Sequence, residues 1–210
     1  MNYRRRTYDE LRVAATSFLA QHHPHGAPPI PIEEIVELKL NLDIAPIPGL
    51  KDAMGSEANG YLSMACDTIY VDQFIAENRE NRFRFTLAYE VARWHLQIDL
   101  LRSCVARNLD EYQEWHEKLP DRVREDSKFE AYDFAGLVLV PTKHLVRSAD
   151  LAFERAAQGF RNANRDPDEA LATIWGHVAK HLADDVFQVS DQVVLKRLRR
   201  ERILPAGVDL

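Results

Sequence analysis

Tyr89, Glu90 and Arg93 bring a phenol, a carboxylate and a guanidinium together within the stretch from Arg82 to Asp99, RFRFTLAYEVARWHLQID. Wound as a helix at 100° per residue, this stretch carries two apolar stripes. One is Phe83, Leu87, Val91, Trp94 and Ile98; the other is Phe85, Ala88, Ala92 and Leu96. Between them lies a single polar wedge of Thr86, Tyr89, Glu90, Arg93 and Gln97. A helix apolar on two sides is buried against more than one layer, so its wedge either lines a cleft or forms a satisfied internal network. Functional sites have this pattern, and so do structural ion pairs.

Other chemistry-bearing residues are less well supported. Glu130 shares the angle of Phe134, Leu137 and Val138 on its helix, which is the apolar face. A carboxylate there must be paired or neutralised, because burying it alone costs several kcal/mol or more. His177 and His181 have metal-ligand spacing on a predicted helix, but no third ligand and no neighbouring carboxylate base accompany them. They read as two His on a partly exposed face, as does His95 with Asp99. His22, His23 and His25 crowd a Pro-rich loop and read as solvated.

The segment Arg84-Phe85-Thr86-Leu87-Ala88-Tyr89-Glu90-Val91-Ala92-Arg93-Trp94 resembles the R-F-T-L-A-H-E-L-G-H-W signature of the ImmA/IrrE family of zinc-dependent peptidases. Glu130-Ala131-Tyr132-Asp133-Phe134-Ala135, followed by Leu137, Leu139 and Pro141, is similar to that family's E-A-N-x-F-A-x-x-L-L-x-P. VAKHLADDVFQVSDQVVLKRLRRERIL resembles its closing helix-turn-helix-like segment. The three matches run in the family's order over about residues 30 to 204.

What the resemblance implies is a site with its metal ligands replaced. In H-E-x-x-H the two His, one turn apart, bind zinc and the Glu between them is the general base. The base position falls on Glu90 and the family's third ligand on Glu130, but Tyr89 and Arg93 stand where the His would be. Arginine is not deprotonated in proteins, so it offers a metal no lone pair, and its charge repels one. The zinc expected for the family is therefore expected to be lost, leaving no metal and no cofactor. Arg93 becomes the natural partner for Glu130, near the place the metal would occupy. Two other fates stay open: a peptidase with a rebuilt metal site, and a cleft that binds a peptide or small ligand.

The surrounding elements must position these residues. The 210 residues suit one large domain or a domain with an appendage. With 46% hydrophobic and 29% charged residues the chain can fill a core and is not of disordered composition. Cys66 and Cys104 form neither a metal spacing nor a disulfide framework. No apolar run is long enough to span a membrane, and the N-terminus lacks a signal peptide's apolar core, so a cytoplasmic protein is expected. A net charge of −6 argues against nucleic-acid binding over the whole surface, though not against a local basic patch.

The pattern predicts a helix over 7–21, a short helix opened by Pro31, a strand in LNLDIAPIP and a turn-rich loop in GLKDAMGSEANG. GYLSMA and TIYVDQ read as a hairpin. From Asn78 on the chain reads as helical, with breaks near Pro120, Pro141, Asp166-Pro167 and Asp184 to Ser190. The expected fold class is α+β and zincin-like: a small antiparallel sheet beside a central active-site helix, followed by a helical bundle. Residues 1–165 form the peptidase-like domain and 166–210 a helix-turn-helix-like segment packed on it. Ser190 is placed to cap the last helix, with Val194, Leu195 and Leu198 inward, Lys196, Arg199 and Arg200 outward and Arg197 at the flank, these four basic residues being the candidates for partner or DNA binding.

The expected function is that of a bacterial, catalytically inactive pseudo-peptidase. It would act in transcription regulation by binding an Xre-type helix-turn-helix repressor, or a similar protein partner, through the former substrate cleft. The alternatives are an active metallopeptidase that cleaves a repressor, with Glu90 as base and Glu130 a ligand, and a DNA-binding regulator acting through residues 168–202.

Overall fold

The computed structural model describes residues 3–54, 59–105, 109–164 and 166–208. Residues 55–58 of the turn-rich loop therefore lie outside the described residues, as do 106–108 of the stretch read as helical. The packing divides the chain into two units. One comprises Met1–Pro24 with Pro31–Val138, the other His25–Ile30 with Leu139–Leu210. The division thus falls at 138/139, where the sequence pattern suggested 165/166, because the helix over Thr142–Asn162 packs with the helices that follow it.

The first unit opens with α1 (Tyr8–His22), fixed by a capping box. The Thr7 hydroxyl accepts the Glu10 N–H at 3.2 Å, and the Glu10 carboxylate accepts the Thr7 N–H at 2.8 Å. This helix buries Leu11, Ala15, Phe18 and Leu19. The Pro31 segment gives α2 (Ile32–Glu34), which runs into a π-helical turn over Ile35–Lys39. Strand β1 (Asp43–Ile47), helix α3 (Leu50–Met54), and strands β2 (Gly60–Leu62) and β3 (Thr68–Asp72) follow.

The hairpin forms as the pattern predicts, with Tyr61 opposite Tyr70. The sheet is mixed rather than antiparallel, however: its order is β1-β3-β2, and β1 runs parallel to β3 with Ile44 beside Ile69. Gly60 permits the sheet to approach the central helix closely. A Cβ there would lie 2.5 Å from the Tyr70 carbonyl oxygen and 2.8 Å from Thr86 Cγ2, closer than real Cβ contacts come.

Asp72 starts α4 (Gln73–Asn78) by accepting the Ile75 N–H, and the central helix α5 (Glu80–Leu96) comes next. Its inner residues Leu87, Ala88, Val91 and Ala92 are at most 1% exposed, so both predicted stripes contribute to the core. The helix does not run through to Asp99. It breaks at Gln97, whose side-chain amide donates to the Ser127 carbonyl at 2.7 Å, and α6 (Ile98–Arg102) restarts after it. Helices α7 (Leu109–Lys118) and α8 (Asp121–Leu139) complete the unit, and Phe134 of α8 meets Phe18 of α1 edge to face.

In the second unit α9 (Thr142–Asn162), α10 (Leu171–His181) and α11 (Asp191–Arg200) pack together. A 3-10 turn at Asp168–Ala170 leads into α10. The break expected over Asp184 to Ser190 is shorter than predicted: Leu182–Phe187 continues as a π-helical turn, and the chain reverses at Gln188, which adopts a left-handed conformation with φ 52°. Ser190 occupies the N-cap position of α11 without a side-chain capping bond. Leu145, Ile174, Leu182, Phe187, Val194 and Leu198 fill the core of this unit. Among the described residues no helix is long and apolar enough to cross a membrane.

Candidate functional site

The polar wedge of α5 faces the sheet and α7. Thr86, Glu90 and Gln97 are buried, while Tyr89 and Arg93 are partly exposed. The Glu90 carboxylate is 1% exposed, and its Oε2 accepts two hydrogen bonds. One comes from the backbone N–H of Leu62 on β2 at 3.0 Å, the other from Nη1 of Arg93 at 3.2 Å. Nη2 of Arg93 donates to the Tyr112 hydroxyl at 2.6 Å, and the guanidinium carbon lies 5.9 Å from the centre of the Tyr112 ring. Three elements thus meet at Arg93: the helix that bears it, the edge strand behind Glu90, and α7.

Aromatic rings surround this network. Tyr61 stacks on Tyr70 at 4.9 Å between centroids and lies 6.0 Å from Tyr112. Trp115 and His116 flank Tyr112 at 5.7 and 6.3 Å. These distances fit offset and tilted aromatic packing.

Burial sets the electrostatics. It pushes the Glu90 carboxyl above its ordinary value, while Arg93 and the Leu62 N–H pull it back without cancelling the effect. Desolvation works against the Arg93 charge, but the oxygens of Tyr112, Glu90 and Tyr89 outweigh it and hold the guanidinium firmly protonated. Burial pushes the Tyr89 phenol up to about 12, against the opposing pull of Arg93. At neutral pH the wedge therefore presents a permanent cation, a neutral phenol and a carboxyl already engaged on its inner oxygen.

Glu130 has other partners. It is 1% exposed, but the expected pair with Arg93 does not form. Its carboxylate is held by the segment before α1: Tyr3 O–H donates to Oε2 at 2.7 Å, Arg6 Nη1 to the same oxygen at 2.9 Å, and the Arg6 backbone N–H to Oε1. Arg6 also donates from Nη2 to the Leu96 carbonyl at the end of α5, at 2.8 Å. Arg5 extends the attachment, bonding Asp126 at 3.2 Å and lying over the Phe129 ring. The physical reason is proximity. Arg93 has a carboxylate one turn away on its own helix, so Glu130 takes the cation that residues 3–6 supply.

The structure brings Tyr89, Glu90 and Arg93 together and leaves Glu130 to this second network. Sequence reasoning missed Tyr112, Leu62, Tyr3 and Arg6. A signal for Tyr112 was present: with Trp115 and His116 it makes an aromatic stripe at helical spacing in α7.

On α11, Arg199 and Arg200 are exposed and Lys196 is half-buried. Arg197 is 3% exposed, which corrects its placement at the flank as a partner- or DNA-binding residue. It donates to the Val140 carbonyl at 3.1 and 3.2 Å, to the Thr142 hydroxyl at 2.9 Å and to Glu201 at 2.6 Å. That network secures the turn between α8 and α9. His177 and His181 are exposed, and His181 Nδ1 lies 2.7 Å from Asp185.

Among the described residues no three His, Cys, Asp or Glu side chains gather as a group able to hold a metal ion. Comparison with known protein families finds no family model that matches this chain, and no curated protein matches it significantly.

Proposed function

We propose that this chain is a catalytically inactive relative of the ImmA/IrrE zinc peptidases that works as a regulatory interaction module in the bacterial cytoplasm. Its partner in this reading is an Xre-type helix-turn-helix repressor or a similar regulatory protein. One observation carries the reading: the Arg93 guanidinium stands at the second ligand position of the motif, bonded on one side to Glu90 and on the other to Tyr112. A group that cannot ligate a metal has replaced one that must, and it ties up the carboxylate that would activate water. The aromatic residues around it, Tyr61, Tyr70 and Trp115, are partly exposed and supply the kind of surface that protein partners use.

The test is to mix the purified chain with an Xre-type repressor encoded beside its gene, with and without zinc. The expected result is a complex on size exclusion with the repressor intact, weakened by Tyr89→Ala or Trp115→Ala without loss of thermal stability. Zinc-dependent cleavage abolished by Glu90→Gln would establish the peptidase reading instead. Binding that ignores Tyr89 and Trp115 but is lost on changing Arg199 and Arg200 to Glu would move the functional surface to α11. A salt-dependent shift of DNA with the same dependence on those two arginines would mark a DNA-binding regulator.

A further inference from the structure

The tip of the β2–β3 hairpin, the end of α5 and α6 line a hollow of about 430 Å³ in the first unit, open to solvent, with Ala65, His95 and Arg102 exposed at it. That volume falls within the roughly 300–1,000 Å³ of small-molecule sites. Trp94, Ile98 and Met64 give it apolar walls, while Cys66, His95 and Arg102 bring polar atoms to it. Gln97, between Trp94 and Ile98, does not take part; its amide is bound to the Ser127 carbonyl.

The polar groups here contrast with those of the Glu90–Arg93 network. Arg102 has no hydrogen bond or ion pair among the described residues, and neither the His95 ring nitrogens nor the Trp94 indole N–H has a hydrogen-bond partner there. Arg102 brings an exposed guanidinium to the hollow, with no carboxylate within ion-pair reach among the described residues. Burial first, and then the nearby His22 and Arg6, hold His95 below its usual value, so at neutral pH it is an uncharged donor. Arg102 also pulls on the Cys66 thiol, against the burial that raises it, which agrees with a guanidinium beside the wall of the hollow. An exposed guanidinium beside an indole and two aliphatic walls suits an anion with a flat apolar body, because Arg grips a carboxylate with two parallel hydrogen bonds.

We propose that this hollow binds a small aromatic carboxylate, its ring against Trp94, Met64 and Ile98 and its carboxylate on Arg102, with His95 as a second donor. The assignment is independent of the reading of the Glu90–Arg93 network. It gives the chain a ligand site where α5 ends and α6 begins, just beyond Arg93.

The experiment titrates indole-3-acetate, and its neutral amide indole-3-acetamide, onto the full chain by ligand-observed NMR. Cys66 alkylation by N-ethylmaleimide is followed in parallel by peptide mapping. The expected result is saturable binding of the acid with Kd below about 1 mM and at least about tenfold weaker binding of the amide, the scale of one lost charge-assisted contact. Arg102→Gln should lower affinity for the acid by about tenfold and leave the amide unchanged, while Trp94→Leu should weaken both. Protection of Cys66 should follow occupancy. The proposal is overturned if the acid does not saturate, if acid and amide bind equally, if Arg102→Gln has no effect, or if bound acid leaves Cys66 as reactive as before.

Discussion

Glu90 caps the open edge of the sheet through Leu62. In the β2–β3 pairing, Asn59 accepts from Asp72 and Ser63 donates to Thr68, so Leu62, next to Ser63, points its N–H away from β3. That donor reaches Glu90 Oε2 at 3.0 Å, and the same oxygen receives Arg93. An outward N–H on an edge strand is what an added strand would use, and here a side chain has taken it. Glu90 is thus a structural acceptor joining strand and helix, with a cation set against its charge.

Changing Arg93 to Met should leave Glu90 buried without its cation and cost about 3–5 kcal/mol at pH 8. The loss should depend on pH with a definite sign. Burial already raises the Glu90 carboxyl, and without Arg93 it rises further, so the folded variant holds a proton that the unfolded chain releases. The variant therefore recovers stability as pH falls from that raised value toward the unfolded carboxyl range near about 4.3. Urea unfolding of both proteins at pH 8 and pH 5 checks this; an unchanged gap would mean that Glu90 does not take up the proton.

The attachment of residues 3–6 to Glu130 should carry measurable stability. Arg6→Ala removes a cation whose side chain is 33% exposed, so its cost should be about 2–3 kcal/mol, below that of a fully buried pair. Tyr3→Phe removes a single hydrogen bond to a charged group, about 1.5–3 kcal/mol. Burial and its bond to Glu130 hold the Tyr3 phenol well above its usual range, so the tyrosine stays protonated throughout an ordinary pH series. Chemical denaturation of the two variants and their double mutant should give non-additive losses, since both act on Oε2 of one carboxylate.

Zinc is expected not to be retained at residues 89, 90, 93 and 130. Elemental analysis after exposure to zinc and dialysis should give far less than one metal per chain, and Glu130→Gln should not change it. About one zinc per chain, lost in the Glu130→Gln variant, would restore the metallopeptidase reading.

Arg197 and its neighbours on α11 should separate cleanly. Arg197→Ala opens a network in which both it and Glu201 are buried, with side chains 4% and 7% exposed, and should cost about 3–5 kcal/mol. Arg199→Glu with Arg200→Glu alters exposed charges and should stay within about 0.5 kcal/mol per site. A thermal melt of each distinguishes them, and a drop in the double variant as large as that of Arg197→Ala would contradict the assignment of faces.

Periodicity revealed the wedge of α5 because a helix fixes the angle of every residue once the apolar stripes are found. It could not choose partners. Glu90 lies one turn from Arg93, whereas Glu130 was matched to it only through the resemblance, and the bond to Tyr112 depends on how α7 docks. The hairpin was legible in its β-branched and aromatic residues, but the parallel register of β1 on β3 is a non-local choice. Nothing in Gln97 signals a break, as Gly or Pro would; the break rests on the Ser127 carbonyl thirty residues on. Arg197 sits at the border of its helix's apolar face, and its inward turn is stabilised by acceptors at Val140 and Thr142 that no local pattern reveals.

The attachment at Glu130 also sets an order of events in synthesis. Arg6 leaves the ribosome long before Glu130, its partner 124 residues later in the chain. Until α8 emerges, the basic segment before α1 has no such carboxylate to meet, and the α5 carbonyl at Leu96 is the earlier of its two anchors to appear. A contact of such sequence separation is entropically late, so the first unit is completed when the segment before α1 closes on its last helix.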